Sequence, residues 1–131
     1  MKIRQTTFYA LKAVHRIHVE EGDIITSNMI AEKEGFSQGV VLRILRTLVN
    51  VGILEAHQGR GRICGGFSLK KPIDKITLFD IISVMENIDI CSNLDEKSKT
   101  EENKLFCSLN QINQHIKDEF SKYTLRNLFE L

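Results

Sequence analysis

The glycines of this 131-residue chain lie in its first half, and this restricts what that half can fold into. All eight precede Phe67, and four of them fall within residues 59–66. Such clustering is typical of a tight β-hairpin, because glycine adopts backbone conformations closed to other residues. Short apolar segments flank the window, with Ile53 and Leu54 before it and Leu69 after it. The sequence therefore predicts a small two-stranded hairpin here.

The N-terminal segment predicts a helix over about residues 4–20 and no targeting sequence. Ala10, Ala13, Val14 and Ile17 recur at helical spacing and form one apolar stripe. Charged side chains interrupt the segment where a signal peptide is apolar, and no run in the chain approaches the roughly 18 apolar residues of a membrane span. We therefore expect a cytoplasmic protein without membrane contact.

Two further helices are predicted on either side of a glycine turn at residues 34–37. Thr26 is a suitable N-cap for the first, and Gly35 ends it where a left-handed residue is favoured. Ser37 is predicted to cap the second, which Gly52 closes in the same way. The predicted inner positions are Met29, Ile30, the aliphatic part of Lys33, Val41, Ile44, Leu45 and Leu48. Two helices joined by so short a turn form a helix-turn-helix.

The order of these elements predicts a winged helix, in which the hairpin is the wing. The predicted fold class is mainly α with a small β-hairpin. We assign residues 1–75 to a winged helix-turn-helix region and residues 76–131 to a second region, within one compact chain.

The second region begins with a predicted fourth helix. Thr77 followed by Asp80 is similar to a capping box. Ile81, Ile82 and Met85 are among the apolar residues of this helix. The polar stretch at residues 92–103 has too few apolar residues to pack and predicts a loop.

A last long helix over about residues 104–123 carries a coiled-coil-like stripe. Its apolar residues recur every three or four positions, at Leu105, Leu109, Ile112, Ile116, Phe120 and Tyr123. Such a stripe either packs within the chain or forms the seam of a dimer. We favour the seam, because few other elements remain to cover a stripe of this length.

Charge divides the chain near the same boundary. Residues 1–75 carry 12 Lys and Arg against 7 Asp and Glu, a net charge of +5, whereas residues 76–131 carry 6 against 10, a net charge of −4. A basic surface attracts a polyanion and an acidic surface is repelled by it. We expect the first region to bind nucleic acid and the second to oligomerise or to sense a signal.

The second helix of a helix-turn-helix lies in the DNA major groove, where its first residues meet base edges. Arg43 suits a guanine edge or a phosphate, Gln38 suits an adenine, and Leu42 or Val40 can contact a thymine methyl. Arg46 is expected at the DNA backbone; the alternative is that both arginines are solvated charges. The candidate contacts on this helix are Ser37, Gln38, Gly39, Val40, Leu42, Arg43 and Arg46.

The hairpin supplies further candidate DNA contacts. Arg60 and Arg62 flank Gly61, and the neighbouring glycines let the backbone approach a phosphate or enter the minor groove. Lys70 and Lys71 extend this basic patch. A nucleotide-phosphate loop is the alternative, but the segment lacks both the GxxxxGK[ST] pattern and the GxGxxG spacing.

Little in the sequence points to catalysis. We find no nucleophile paired with a base, no metal triad and no cofactor fingerprint, so we expect no enzyme. The three cysteines, Cys64, Cys91 and Cys107, are odd in number and sparse, which argues against a disulfide framework.

Several segments occur in an order typical of one bacterial family. The run MKIRQTTFYALKAV is followed by the turn IAEKEGFS, the junction ILRTLVNVGIL and the hairpin RGRICGGFSLKKP. The segment ITLFDIISVMEN, a cysteine-bearing loop and a long helix ending in YTLRNL come next. Together they resemble the BadM and IscR type of winged-helix transcription regulator, whose members include IscR, NsrR and CymR. The resemblance covers nearly the whole chain.

This resemblance implies a homodimer that binds a partly palindromic DNA operator with two recognition helices and two wings. Ser37 falls at the start of the family's recognition helix, and Arg60 with Gly61 on its wing Arg-Gly pair. Leu42 replaces the family's usual glutamate, so the base preference there should differ. The wing holds one extra residue between Gly61 and Gly65.

The resemblance also implies that residues 76–131 form a sensor loop and dimerisation helices. Many members detect iron-sulfur status, nitric oxide or redox state with three loop cysteines; here Cys91 matches the first and Cys107 roughly the last. Some members add a ligand from the partner's first helix, but Phe8 and Lys12 hold the matching positions and cannot ligate. Three alternatives remain: an iron-sulfur cluster on the two cysteines, a reversible thiol or disulfide switch, or no cysteine chemistry. Cys64 is expected to be a passive wing residue.

We therefore expect a dimeric, sequence-specific DNA-binding regulator, a repressor, that responds to iron-sulfur, redox or nitrosative status through its loop cysteines. The alternative is a regulator of the same fold without a cluster, controlled by a partner protein, a small molecule or a thiol switch. His15 and His18 are expected to be ordinary helix histidines.

Overall fold

The computed structural model describes residues 2–20, 24–59 and 65–130. In chain order these residues form α1 Gln5–Val19, α2 Ser27–Glu34, α3 Gln38–Asn50, β1 Leu54–His57, β2 Gly66–Leu69, a 3-10 turn Ile73–Lys75, α4 Leu78–Met85, α5 Lys104–Ser121 and α6 Leu125–Phe129. The predicted fold class, mainly α with a small β-hairpin, is confirmed. In the described ranges, no helix is both long and apolar enough to cross a membrane.

The helices α2 and α3 form the predicted helix-turn-helix. Thr26 caps α2, since its side chain accepts a hydrogen bond from the Met29 N–H at 3.2 Å. Gly35 ends α2 with a φ of 73°, the left-handed conformation that glycine adopts without steric cost. Phe36 then stacks on Tyr9 of α1, with ring centroids 3.7 Å apart. This stacking holds the turn against α1.

Three expectations about these helices are wrong. Ser37 occupies the N-cap position of α3, but its hydroxyl makes no capping hydrogen bond; Ser37 is exposed, so water can satisfy the first-turn N–H groups instead. Met29 is 37% exposed, because it lies 100° around the helix from buried Ile30, and Ala31 is buried in its place. The Lys33 side chain points outward to an ion pair instead of covering the core.

The hairpin has a third backbone partner that the sequence did not indicate. β1 and β2 pair antiparallel, with Leu54 opposite Leu69. The Ile25 N–H donates to the Phe67 carbonyl at 3.0 Å, and the Phe67 N–H donates to the Ile25 carbonyl at 2.8 Å. The segment entering α2 is therefore attached to the hairpin.

The core lies between α1, α3, the hairpin base and the start of α4. Every inner position predicted for α1 and α3 is buried, which confirms both helical stripes. The buried residues include Ala10, Ala13, Val14, Ile17, Val41, Ile44, Leu45, Leu48, Leu54, Ile76, Ile81 and Leu125. Because α1 and α3 share this core, the outer face of α3 is held in a fixed orientation.

Capping boxes begin α4 and α6. The predicted pair is present in α4, where the Asp80 N–H donates to Thr77 Oγ1 at 3.1 Å and the Thr77 N–H donates to Asp80 Oδ2 at 2.9 Å. Thr124 and Asn127 form the same box at α6, a short helix that the sequence analysis did not predict. The backbones of Thr77 and Thr124 form an isolated antiparallel bridge, so the two helix starts are adjacent.

Candidate nucleic-acid interface and sensor region

The outer face of α3 is the candidate DNA-binding surface. Of the seven candidate residues, five are exposed, namely Ser37, Gln38, Gly39, Arg43 and Arg46, while Val40 and Leu42 are half-buried. A shallow groove of about 330 Å³ follows this face and is lined by Gly39, Leu42, Arg43, Arg46, Thr47 and Asn50. The last two residues were not predicted, although both continue the same helical face.

The two arginines of this groove have no carboxylate partner among the described residues. Within the part of the chain that the structure describes, neither Arg43 nor Arg46 has a carboxylate within the 4.0 Å of a salt bridge. Both side chains are exposed on a helix whose other face is buried. Their guanidinium groups are therefore available to an external anion.

The lysine and arginine side chains of the neighbouring helices differ from Arg43 and Arg46, because they already form salt bridges with carboxylates. Arg16 of α1 contacts Glu34 of α2 at 3.1 Å, and Lys12 contacts the same carboxylate at 3.7 Å. Lys33 lies 2.5 Å from Glu20, and this contact holds the pKa of the Glu20 carboxyl below its ordinary value. These pairs connect α1 to α2, so among the lysines and arginines of α1, α2 and α3 the two without a salt bridge in the described residues are Arg43 and Arg46.

The rest of the predicted interface belongs to the hairpin and the residues after it. Arg60, Gly61 and Arg62 lie outside the described residues, and so does Cys64. Lys70 and Lys71, which follow β2, are exposed.

A polar clamp joins the start of α1 to the end of α4, close to the recognition helix. Glu86 accepts hydrogen bonds from the Arg4 backbone N–H at 2.7 Å and from buried Thr7 Oγ1 at 2.7 Å. The Arg4 N–H, followed by Thr7, lowers the pKa of the Glu86 carboxyl. The Arg4 guanidinium also donates to Glu86 Oε2 at 3.2 Å and to the Met85 carbonyl. Arg4 and Met85 line a small groove with Arg43, so the clamp reaches the candidate DNA-binding face.

Cys91 lies in a polar latch between the loop after α4 and helix α5. Its side chain is buried, with 2% of its surface exposed. Asp89 Oδ1 accepts hydrogen bonds from the Cys91 N–H at 2.9 Å and from Asn113 Nδ2 at 2.7 Å. The Cys91 N–H, followed by the Asn113 amide, lowers the pKa of Asp89. Asn113 is only 4% exposed and also accepts from the Ile90 N–H at 2.9 Å, so one α5 side chain holds the loop.

Cys107 is placed differently from Cys91. It lies in the first turn of α5, is half-buried, and its Sγ is 3.5 Å from the Glu101 carbonyl oxygen. Both thiols are free. Among the described residues, no three His, Cys, Asp or Glu side chains are grouped so that they could hold a metal ion.

The apolar stripe of α5 is largely uncovered within one chain. Leu105 is 70% exposed and Ile112 is 48% exposed. Leu109, Ile116 and Phe120 are half-buried. The fully buried residue of α5 is the polar Asn113, on the side that faces the loop. These five of the six stripe residues thus remain available to a partner.

Comparison with known protein families shows which family has this sequence. The family model Rrf2, described as an iron-dependent transcriptional regulator, matches residues 3–131. The chain belongs to the Rrf2 family. It is therefore a transcriptional regulator with a DNA-binding fold and not an enzyme, as the sequence predicted. The resemblance to BadM-type and IscR-type regulators is also confirmed.

Related proteins match this Rrf2 chain over different lengths. BadM of Rhodopseudomonas palustris is 26% identical over 129 residues, which cover 98% of this chain and 78% of BadM. Protein aau3 of Rhizobium meliloti is 30% identical over 87 residues, 66% of this chain and 54% of aau3. YwgB of Bacillus subtilis is 36% identical over 62 residues, 47% of this chain and 38% of YwgB. The matches to aau3 and YwgB thus span about half of those proteins or less.

Solved structures share the fold along nearly the whole chain. CymR, the global cysteine regulator of B. subtilis, aligns with a TM-score of 0.73 and 23% identity over 99% of this chain and 97% of CymR. IscR of T. potens aligns with a TM-score of 0.71 and 20% identity over 99% of this chain and 87% of IscR. A Listeria innocua protein aligns with a TM-score of 0.75 and 25% identity over 99% of this chain and 87% of the Listeria chain.

Proposed function

We propose that this Rrf2-family regulator acts as a homodimer that binds a DNA operator sequence-specifically, with α3 of each subunit in the major groove. The observation that carries the proposal is the outer face of α3, where Arg43 and Arg46 are exposed and have no carboxylate beside them in the described residues. Unpaired guanidinium groups on such a helix suit guanine edges and phosphates. A dimer bound across a promoter obstructs polymerase, so we propose repression as the outcome.

Each exposed group on α3 has a chemically suited DNA partner. Arg43 suits the O6 and N7 atoms of a guanine, and Gln38 suits an adenine. The free Ser37 hydroxyl and the first N–H groups of α3 suit a phosphate, because the helix N-terminus carries partial positive charge. Arg46 lies about two turns beyond Gly39 on the same face of α3 and suits the DNA backbone. The proposed wing contacts, Arg60, Gly61 and Arg62, extend the interface towards the minor groove.

The first prediction concerns these arginines. We expect Arg43→Gln to weaken operator binding by about 10- to 100-fold and to relax base preference at one position. Arg46→Gln should weaken binding to all sequences alike and reduce the salt slope by about one, because one phosphate contact is lost. Fluorescence anisotropy with promoter fragments from the same genome, over a salt series, measures both effects. Lys122→Gln, which removes one exposed positive charge at the end of α5, is the charge-matched control, and failure of the unaltered protein to bind any such fragment at low salt contradicts the proposal.

A second prediction separates a DNA-contact role for Gly39 from a structural one. A Cβ added at Gly39 meets only the Ser37 Oγ, at 3.9 Å, so alanine fits without a clash. Gly39→Ala should therefore raise the free energy of unfolding by about 0.5–1 kcal/mol, because alanine favours the helix. The same methyl group stands in the groove where DNA is proposed to lie, and we expect operator affinity to fall about tenfold. Higher stability with unchanged affinity would exclude Gly39 from the interface.

The cysteine region is the proposed site of signal detection. An iron-sulfur cluster is usually held by four protein ligands. Cys91 and Cys107 supply two, and the part of the chain that the structure describes contains no group of three or more His, Cys, Asp or Glu side chains that could hold a metal ion. This donor set does not fit a cluster held within one chain, so we propose a thiol switch that responds to redox or nitrosative status. The supporting observation is the latch. Cys91 is buried, so an oxidation that joins its Sγ to the sulfur of a second thiol, with both thiol hydrogens passing to the oxidant, requires the loop to leave Asn113 on α5.

The third prediction tests this signal. Purified without oxygen, the protein should be colourless and contain neither iron nor sulfide. Treatment with the thiol oxidant diamide should change DNA affinity about tenfold or more, and Cys91→Ser or Cys107→Ser should abolish that response. Dithiothreitol should restore the original affinity. A brown protein whose iron and sulfide disappear in Cys91→Ser would show a cluster instead and overturn the thiol switch.

A further inference from the structure

A cavity of about 580 Å³ lies at the base of the hairpin, away from the outer face of α3. Its walls come from the end of α1, from both strands, from residues 69–73 and from Arg126 of α6. The buried side chains of Ile17 and Ile73 form its apolar floor. Sites for small organic ligands typically measure 300–1,000 Å³ and combine apolar walls with a few polar groups. The cavity has the size and lining of such a site.

The polar part of this lining is cationic. Lys70, Lys71 and Arg126 line the cavity together with His18 and His57. No aspartate or glutamate among the described residues lines it. Three positive charges around an apolar floor, with no carboxylate between them in the described part of the chain, produce a potential that attracts an anion.

The cations are available for a ligand. Neither Lys70 nor Lys71 forms a salt bridge with any carboxylate that the structure places. Arg126 contacts Glu130 at 3.2 Å across one turn of α6, and both side chains are exposed. Such exposed pairs contribute little to stability, so an incoming anion can replace Glu130.

We propose that this cavity binds a small anion with an apolar body, either a carboxylate or a phosphate ester. Lys70, Lys71 and Arg126 bind the charged group, and Ile17 with Ile73 packs against the apolar body. The same lysines would serve DNA phosphates if the hairpin base faced the duplex. An apolar floor is of no use to a phosphodiester backbone, and this favours an organic anion. The proposal depends neither on the DNA contacts of α3 nor on the cysteines.

The position of the cavity would let a bound ligand change the DNA affinity of the protein. His57 and Ser68 face the cavity from the two strands and share a hydrogen bond of 2.7 Å across the hairpin. Arg126 approaches from α6, which is adjacent to the start of α4. A ligand held between Lys71 and Arg126 therefore connects the hairpin to the second region. If DNA binding moves the hairpin, ligand and DNA affect each other's affinity by the same factor.

The test uses three probes with one apolar body: 2-naphthoate, 2-naphthyl phosphate and the neutral 2-naphthamide. Titration of the ¹⁵N-labelled full chain, followed by amide chemical shifts, measures affinity and locates the site. We expect at least one acid to saturate at one molecule per chain, with chemical-shift changes at Ser68, Leu69 and Arg126. The neutral amide should bind at least about tenfold more weakly than this acid. The tighter of the two acids identifies a carboxylate or a phosphate as the natural charged group.

Variants identify the residues responsible. Lys71→Gln and Arg126→Gln should each weaken binding of the tighter acid about tenfold, because each removes one charge-assisted contact. Lys75→Gln removes an equal charge from the adjacent 3-10 turn, outside the cavity lining, and should leave the affinity unchanged. All three positions are exposed, so the variants should fold, and the amide spectra verify this.

Four results would overturn the proposal. The first is no binding of either acid at millimolar concentration, and the second is equal binding of the neutral amide. The third is a set of shifts on the α5 stripe instead of the cavity. The fourth is that Lys71→Gln leaves acid binding intact but weakens binding to a nonspecific DNA duplex at low salt, which would assign the lysine to the DNA backbone.

Discussion

Ile112→Glu is expected to convert the regulator into a monomer and to lower operator affinity by about 100-fold or more. Ile112 lies in the middle of the α5 stripe and is 48% exposed in the single chain. In the proposed dimer seam a carboxylate at this position would lose its water without gaining a partner, which costs far more than the seam contact itself contributes. Loss of the dimer separates two linked DNA-binding units, and such linkage typically raises affinity by about 10²- to 10⁴-fold.

The matched control for this change is Gln111→Glu. Gln111 is exposed and adjacent in sequence, but a rotation of 100° about the helix axis moves it off the stripe. Both variants add one negative charge to α5, so a general electrostatic effect on DNA would appear in both. Sedimentation velocity at micromolar concentration should show a dimer for the unaltered chain and for Gln111→Glu, and a monomer for Ile112→Glu. A dimeric Ile112→Glu would place the seam elsewhere.

The two faces of α5 differ in the polarity of the side chains that they bury and expose. On the side that packs against its own chain, the fully buried residue is Asn113, a polar group with hydrogen bonds to Asp89 and Ile90. On the adjacent face, Leu105 is 70% exposed. A helix that served only as a core element would bury its leucines and expose its asparagine, because exposed apolar surface is unfavourable in water. The arrangement is inverted, as expected for a helix with an intermolecular partner.

Local signals in the sequence predicted most of the secondary structure. Thr26 and Gly35 delimit α2 as expected, because a capping hydrogen bond and a left-handed glycine act within a few residues. The capping box of Thr77 and Asp80 was predicted for the same reason. The apolar stripe of α3 also predicted its buried face, since helical period alone sets which residues share a side. The equivalent signal at Thr124 was present but was overlooked in a five-residue helix.

Local sequence patterns do not predict contacts between residues that are far apart in the chain. Glu86 joins Arg4 across 82 sequence positions, and no spacing rule links a carboxylate to a helix start so far away. Asn113 was overlooked for a related reason: within an apolar stripe it resembles an exposed polar residue, although it is buried by the loop that it holds. The cavity at the hairpin base combines α1, both strands and α6, so the sequence indicated its two lysines only as an extension of the basic patch and did not indicate Arg126. Tertiary packing, not propensity, creates all three features.

Gly66→Ala is expected to destabilise the protein by about 2–3 kcal/mol, a large loss for one methyl group. A Cβ at Gly66 would lie 2.6 Å from the Ile25 carbonyl oxygen, 2.9 Å from the Ile25 carbonyl carbon and 2.6 Å from Ile24 Cγ2. Backbone atoms cannot move aside as a flexible side chain can, so Ile25 must shift. Its two hydrogen bonds with Phe67, of 3.0 Å and 2.8 Å, would then be strained or lost.

The same substitution at Gly39 provides the control, because the two glycines are predicted to respond with opposite sign. Alanine at Gly39 meets only the Ser37 hydroxyl at 3.9 Å, an ordinary contact, whereas alanine at Gly66 meets the backbone of the segment that enters α2. Urea unfolding followed by circular dichroism should therefore give a lower midpoint for Gly66→Ala and a higher one for Gly39→Ala. Equal stability of Gly66→Ala and the unaltered chain would mean that Ile25 is not held against the hairpin.

A shift of Ile25 also has a consequence for DNA binding. Ile25 directly precedes Thr26, the cap of α2, and α2 is connected through the Gly35 turn to α3. The hairpin and the recognition helix are therefore positioned through a common segment. Gly66→Ala should lower operator affinity even at temperatures where the chain remains folded, and anisotropy measured well below the unfolding transition tests this. Unchanged affinity there would show that the wing and α3 bind DNA as independently positioned elements.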